Sequence, residues 1–198
     1  MRQESSATMA GMTARMKGRD RQVQRLILDV TDWARREDDV GALALVGSYA
    51  RKSARMASDV DLVIVSAHFE QLAEDLSWFA RLRPGSKLIH LQAWGPLLER
   101  RFRLRSGLHV ELGLVSPAWT ELPLDPGTRR VLNGGHVVLF DRHRLLSRAA
   151  KALRTRFRVT TGLRMKRSRQ FLDTKAASAE GAEGIRNPTV RDPTAKAQ

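Results

Sequence analysis

The chain has 198 residues, with 35 Lys and Arg against 21 Asp and Glu, and its formal net charge is +14. It contains no cysteine, which excludes a disulfide framework and a cysteine-based metal site. No apolar run is long enough to span a membrane and no secretory signal is visible, so we expect a soluble cytoplasmic protein without a membrane partner.

The first part of the chain alternates helix and strand signals. Residues 1–18 are polar and small, and we expect a flexible N-terminal arm there. Apolar residues then recur at helical spacing and predict an amphipathic helix over 20–37. Two apolar runs, ALALV at 42–46 and DVDLVIVS at 59–66, predict buried strands. A helix is predicted at about 68–80, where large apolar side chains share one face.

The second part predicts strands, a short helix, a strand and a helix. Residues 87–116 contain three apolar alternations and predict three strands. A short helix follows at 125–133, with Asp125 as its cap and a proline in the first turn. Residues 136–140 predict a last strand, and residues 143–157 a last helix.

The end of the chain has a different composition. We expect a tail over residues 158–198 that is first basic and then polar, with disorder from about 175, because no periodicity is left. The basic part could bind nucleic acid, or it could be a solvated surface. The basic cluster begins in the last predicted helix and consists of Arg154, Arg156, Arg158, Arg164, Lys166, Arg167 and Arg169.

Asp59 and Asp61 stand at the start of an apolar strand. Because strand side chains alternate faces, the two carboxylates share one face, while Val60, Leu62 and Ile64 point into a core. Such a pair is held most easily by a divalent cation, and this density of oxygen ligands suits Mg²⁺. The alternative is a strand that is entered through a simple Asp cap or turn.

A third carboxylate, Glu111, lies on the polar face of a predicted hairpin. A three-residue loop ending at Gly107 pairs Leu104 with Leu108, keeps the apolar side chains on one face, and puts a glycine where a left-handed residue is needed. This register sets Arg101 directly opposite Glu111. The alternative for Glu111 is a plain cross-strand ion pair with Arg101.

Gly47 and Ser48 end the first strand and open a short helical segment. Glycine lets a phosphate approach the backbone, and serine can cap the helix or bond the phosphate. Three cations follow in the same segment: Arg51, Lys52 and Arg55. A plain turn from strand to helix is the alternative.

These features together resemble the nucleotidyltransferase superfamily that includes DNA polymerase β. The shared pattern is Gly-Ser, ten residues, Asp-x-Asp before an apolar strand, and a distant strand with an inward acid. The resemblance covers roughly residues 20–157 and is strongest over 45–66. The run WGPLLERRFRLRSGLHVELGLVSPAW…PLDPGTRRVL looks like a bacterial branch of small nucleotidyltransferase-domain proteins.

The resemblance implies a fold and a domain boundary. The fold would be α/β (α+β), a mixed β-sheet with helices packed mainly on one face, plus a C-terminal helix and a disordered tail. The nucleotidyltransferase domain would span residues 19–157.

The resemblance also implies roles for the residues singled out above. Two Mg²⁺ ions would be bound by three catalytic carboxylates: Asp59, Asp61 and Glu111. The nucleoside triphosphate would be held by Gly47, Ser48, Arg51 and Lys52, and Arg101 would act on the site through Glu111. Many relatives have glycine in place of Lys52 and aspartate in place of Glu111.

The implied reaction moves a nucleoside monophosphate, expected to be AMP from ATP, to an acceptor hydroxyl and releases pyrophosphate. The acceptor stays open between a small molecule and a macromolecule, either protein or RNA docked by the basic C-terminus. A non-catalytic nucleotide-binding or antitoxin-like regulatory protein is a further alternative, although the presence of all three carboxylates argues against it. An oligomer is possible in each case.

Overall fold

A computed structural model describes residues 3–154, of which residues 3–13 are described by their backbone only. Within this part the chain forms one mixed sheet of six strands in the order β3-β4-β5-β2-β1-β6. Only β2 and β5 pair in parallel among the described strands. The strands are β1 Val40–Val46, β2 Val60–Ser66, β3 Lys87–Trp94, β4 Leu97–Arg103, β5 His109–Val115 and β6 His136–Asp141.

Helices occupy most of the connections between these strands. They are α1 Gln3–Arg36, α2 Gly47–Ala50, α3 Phe69–Glu74, α4 Ser77–Leu82 and α5 Pro126–Asn133, together with a 3₁₀ turn at Pro117–Thr120. Residues 145–154 are helical as well. None of the helices in the described part is long and apolar enough to cross a membrane.

The central strands bury side chains on both faces of the sheet. On one face, α1, α3 and α4 pack against a cluster that includes Leu43, Ile64 and Leu112. On the opposite face, α5 and residues 145–154 pack against a second cluster that includes Val63. The predicted α/β fold, a mixed sheet with helices and a C-terminal helical segment, is confirmed. The second face is covered as well because β1 and β2 are apolar on both faces, and exposing either face to water would be unfavourable.

The first helix is longer than predicted. It begins at Gln3 instead of near residue 20, so the backbone is helical through residues 3–18, where a flexible arm was expected. The arm prediction weighed polarity alone, whereas this stretch contains no proline and many helix-forming residues such as Gln, Glu, Ala, Met, Arg and Lys.

The predicted helix over 68–80 is two short helices, α3 and α4. Asp75 ends the first with extended backbone, φ −89° and ψ 97°. Its carboxylate accepts hydrogen bonds from the backbone N–H of Ser77, at 2.9 Å, and from the Ser77 hydroxyl, at 3.1 Å. An aspartate that bonds the backbone two residues ahead competes with the helix and favours a break.

The hairpin between β4 and β5 has the predicted register. The Leu104 N–H donates to the Leu108 carbonyl at 2.8 Å, and Arg101 lies opposite Glu111. Gly107 has the left-handed backbone that the loop requires, with φ +79°. The predicted short helix and the last strand are confirmed as α5 and β6. The predicted tail over 158–198 lies outside the described residues.

Candidate active site

Asp61 and Glu111 are register partners on the neighbouring parallel strands β2 and β5. Both side chains project from the same face of the sheet, and they hydrogen-bond to each other. The parallel pairing is what brings them together, because the two residues are fifty positions apart in the chain. Two carboxylates in contact and partly buried repel each other unless a proton or a cation lies between them.

The electrostatics of this pair show that repulsion. The pKa of Asp61 is raised to about 7, first by burial and next by the charge of Glu111. Burial also raises the pKa of Glu111, with the charge of Glu99 as the next cause. The hydrogen bond between the two raises the pKa of Asp61 and lowers that of Glu111, so Asp61 holds the shared proton near neutral pH.

Asp59 precedes β2 and is held by an arginine. The Arg101 guanidinium donates to the Asp59 carboxylate and contacts Glu111 at 2.8 Å. His109 Nδ1 lies 3.4 Å from Asp59 Oδ1. The bond to Asp59 raises the pKa of Arg101, while the buried Arg101 Nε has no hydrogen-bond partner in the described part of the chain. Arg101 therefore contacts two of the three carboxylates in this structure, and its single positive charge offsets one of their two negative charges.

Gly47 lies directly against Asp61. Its backbone is left-handed, with φ +68°, and a Cβ at this position would lie 2.1 Å from Asp61 Oδ2. Only glycine satisfies both conditions without moving the carboxylate. The turn is fixed from behind by a hydrogen bond of 3.2 Å from the Gly47 N–H to the Gly135 carbonyl.

The two cations predicted to hold the triphosphate have different surroundings. Arg51 donates to the Gly134 carbonyl and packs so closely over Gly135 that a Cβ there would lie 2.4 Å from Arg51 Cγ. Lys52 is exposed and has a left-handed backbone with φ 58°, which a residue with a side chain rarely adopts.

A cavity of about 430 Å³ opens above the carboxylate pair. Asp61, Glu111, Gly47 and Arg51 line it, whereas Asp59, Ser48 and Lys52 do not. Its outer walls come from the β3–β4 connection, the 3₁₀ turn and α5, and they include Trp94, Trp119, Glu99 and Thr128. The cavity thus joins the predicted carboxylates to a mostly apolar space that could hold a base or an acceptor.

Glu99 is a residue of this site that the sequence analysis did not single out. It lies opposite Gly113 across the β4–β5 pairing, lines the cavity and accepts a hydrogen bond of 2.9 Å from Trp94 Nε1. The alternation of side chains along β4 could have identified it, because it puts Glu99 on the same face as Arg101. The residues that α5 supplies to the cavity wall could not be identified in this way, because their position depends on how that helix packs over the sheet.

The carboxylate oxygens are suitable donor atoms for a divalent metal, but the three side chains are not arranged around a common metal position. Their oxygen donors and excess negative charge are what Mg²⁺ selects, and the Gly47 turn leaves space beside Asp61. In the described residues, however, no group of three or more His, Cys, Asp or Glu side chains is arranged to hold a metal ion. Asp59 is instead bound to Arg101. A metal at this site therefore fits the donor set and requires Arg101 to yield its place.

Comparison with known proteins gives one finding. Residues 30–112 match the family model described as a nucleotidyltransferase domain. The match includes β1, β2 and the residues Gly47, Asp59, Asp61, Arg101 and Glu111, and it ends before α5. No curated protein matches the chain.

Proposed function

We propose that the protein transfers a nucleoside monophosphate, AMP in the first instance, from a nucleoside triphosphate to an acceptor hydroxyl, since residues 30–112 match the family model described as a nucleotidyltransferase domain. The acceptor oxygen forms a bond to the α-phosphorus. The bond from that phosphorus to the bridging oxygen breaks, and pyrophosphate leaves. Transfer of this kind needs negative charge to be neutralised at the α-phosphate and on the leaving group.

The observation that carries this proposal is the contact between Asp61 and Glu111 beside the Gly47 turn. A carboxylate pair that lines a cavity and retains a proton near neutral pH is unfavourable for stability alone. It is suited to a cation that replaces the proton when substrate is present.

We assign the binding of two Mg²⁺ ions to Asp59, Asp61 and Glu111. When bound, the ions would lower the pKa of the acceptor hydroxyl and neutralise charge on the triphosphate. Glu111 lies at the base of the cavity, where its carboxylate can accept the proton of the acceptor hydroxyl.

The remaining residues position the triphosphate. Gly47 allows the phosphates to approach the backbone, and the Ser48 hydroxyl lies next to it in the chain. Arg51 is anchored to the Gly134 carbonyl, so its guanidinium is held at the rim of the cavity. Lys52, being exposed, supplies charge to the phosphates from the solvent side.

The experiment is a transfer assay with each of the four α-labelled nucleoside triphosphates, Mg²⁺ and pools of small-molecule, RNA and protein acceptors. We expect ATP to label one pool with stoichiometric release of pyrophosphate. Binding of ATP without transfer to any pool would support the regulatory alternative and overturn the proposal.

Matched variants separate catalysis from folding in this assay. Asp61→Asn and Glu111→Gln should each lower transfer by about a thousandfold or more, because each removes a negative ligand of the reacting centre. Glu121→Gln removes an exposed carboxylate outside the site and should leave transfer unchanged.

A further inference from the structure

A second cavity, of about 480 Å³, lies between α1, the turn after α4 and the β4–β5 hairpin. Four arginines line it, together with Pro84, Ser86 and the hairpin residues Leu104 and Leu108. We call this cavity the arginine groove and define it by its four arginines: Arg21, Arg25, Arg83 and Arg105.

The charge of the arginine groove is poorly compensated. Asp29 is the carboxylate that serves it, at 2.7 Å from Arg83 and 3.7 Å from Arg25. No carboxylate of the described residues forms an ion pair with Arg21 or Arg105. Surplus positive charge in a concave surface concentrates anions there.

The groove is built by packing contacts. Arg105 lies across the turn so closely that a Cβ on Gly85 would be 2.7 Å from its Cδ. Arg21 Nε donates to the Lys17 carbonyl at 3.3 Å. Ser86 adds a hydroxyl oxygen that has no hydrogen-bond partner in the described part of the chain.

A further cation extends the groove along α1. Lys17, Arg21 and Arg25 follow one another at four-residue spacing, so they share one face of the helix. Together with Arg83 and Arg105 they form a group of spaced positive charges around the groove.

We propose that the arginine groove binds the phosphate backbone of a single-stranded nucleic acid. The inference goes beyond the proposed function and rests on the uncompensated positive charge of this concave surface. A row of spaced cations matches a ligand with repeated phosphates better than it matches a single small anion.

The composition of the groove also predicts how the strand is recognised. Among the residues that the structure describes, no aromatic side chain lines it, so bases have no stacking platform there. Binding should therefore depend on phosphates, fall steeply with salt and show little sequence preference.

The test measures binding of a fluorescent single-stranded RNA 20-mer by anisotropy over a range of salt concentrations, without nucleotide. The groove variant Arg21→Gln/Arg105→Gln is compared with the control Arg36→Gln/Arg148→Gln, which removes the same charge from exposed positions elsewhere. We expect the groove variant to bind roughly tenfold more weakly and to lower the salt slope by about 1.4, since two phosphate contacts are lost. The control should bind like the wild type.

Three outcomes would overturn the proposal: no salt-dependent RNA binding, equal weakening by the two double variants, or tighter binding of polyglutamate or anionic vesicles than of RNA. The melting temperatures of both double variants should equal that of the wild type, which would show that weaker binding does not result from loss of the fold. Because no triphosphate is present, this result is independent of the transfer assay, and either proposal can fail alone.

Discussion

Arg101 is the residue that makes the site stable without a metal. It contacts Asp59 and Glu111 and offsets one of their two negative charges, while burial and Glu111 raise the pKa of Asp61 to about 7. Its position opposite Glu111 follows from the alternation of two strands and was predicted. Its bond to Asp59 was not, because that contact depends on how β5 docks beside β2 and is not encoded in either strand alone.

Arg101→Ala should lower transfer far more than it lowers stability. The lost ion pairs are partly exposed and contribute about 1 kcal/mol to the free energy of unfolding. The metal-free variant should melt somewhat lower because Asp59 and Glu111 then lack their cation, and Mg²⁺ should raise its melting temperature more than that of the wild type. Thermal denaturation with EDTA or Mg²⁺ measures both effects.

Arg103→Ala is the matched control for this prediction. Arg103 is an exposed neighbour on the same strand, and its loss should leave the response to Mg²⁺ unchanged. An equal response of both variants would mean that Arg101 does not occupy the place of the metal.

Asp61→Asn should stabilise the metal-free protein, and more so at pH 8 than at pH 5. The folded-state pKa of Asp61 is raised to about 7, so the folded protein binds this proton more tightly than the unfolded chain does. Its stability therefore declines as pH rises from about 4 to about 7. The asparagine carries no charge, so the stability of the variant should not decline with pH for this reason. Melting curves in EDTA at the two pH values test it, and a large loss of stability at both would make Asp61 a structural residue.

Lys52 shows how a sequence departure acquires a physical meaning. Its left-handed backbone, with φ 58°, is one that glycine adopts without strain, which suits the glycine expected at this position from the resemblance. The sequence indicated that Lys52 departs from the residue expected here, but only the structure shows that the position requires a positive φ, which a lysine rarely adopts.

At the scale of elements, the capping residue of α5 predicts where the helix begins but not that the helix lines the cavity. Asp125 accepts hydrogen bonds from the backbone N–H groups of Gly127, at 2.7 Å, and Thr128, at 3.1 Å, as the sequence predicted. The same helix supplies Thr128 and Val131 to the cavity wall. That second role depends on its tertiary position, so the sequence could not predict it.

Asp125→Ala should destabilise the fold by about 1 kcal/mol, the usual cost of a lost helix cap. Bonds from the Thr128 hydroxyl and the backbone lower the pKa of Asp125, so its contribution is present above the unfolded pKa and is lost as pH falls through the folded value. Urea denaturation at pH 7 measures the loss, and the difference from the wild type should shrink in acid. Glu121→Ala, at an exposed position nearby, is the control, and an equal loss there would contradict the capping role.

The connections were less predictable than the strands. Strand existence and the β4–β5 register follow from local alternation and from Gly107, both of which are visible in the sequence. The division of 68–80 into two helices depends on one aspartate, Asp75, and the second helical layer depends on strands that are apolar on both faces. The first feature results from competition between side-chain and helical hydrogen bonds, and the second from packing on both faces of the sheet. Neither can be predicted from the periodicity of apolar residues alone.

At the scale of the whole molecule, an acidic site lies in a strongly basic chain. The net charge of +14 attracts nucleotides and nucleic acid to the surface, whereas the three carboxylates repel a triphosphate at the site itself. A divalent cation between carboxylates and phosphates would remove this opposition.

Isothermal titration of ATP into the metal-free protein, with Mg²⁺ or with EDTA, tests this central claim most directly. We predict measurable binding with Mg²⁺ and binding at least about a hundredfold weaker in EDTA, because triphosphate and carboxylates then repel each other. Asp61→Asn should reduce the difference between the two conditions, since it removes one of the charges that the cation must neutralise. Equally tight binding of ATP in EDTA and in Mg²⁺ would contradict the assignment of Asp59, Asp61 and Glu111 as metal ligands.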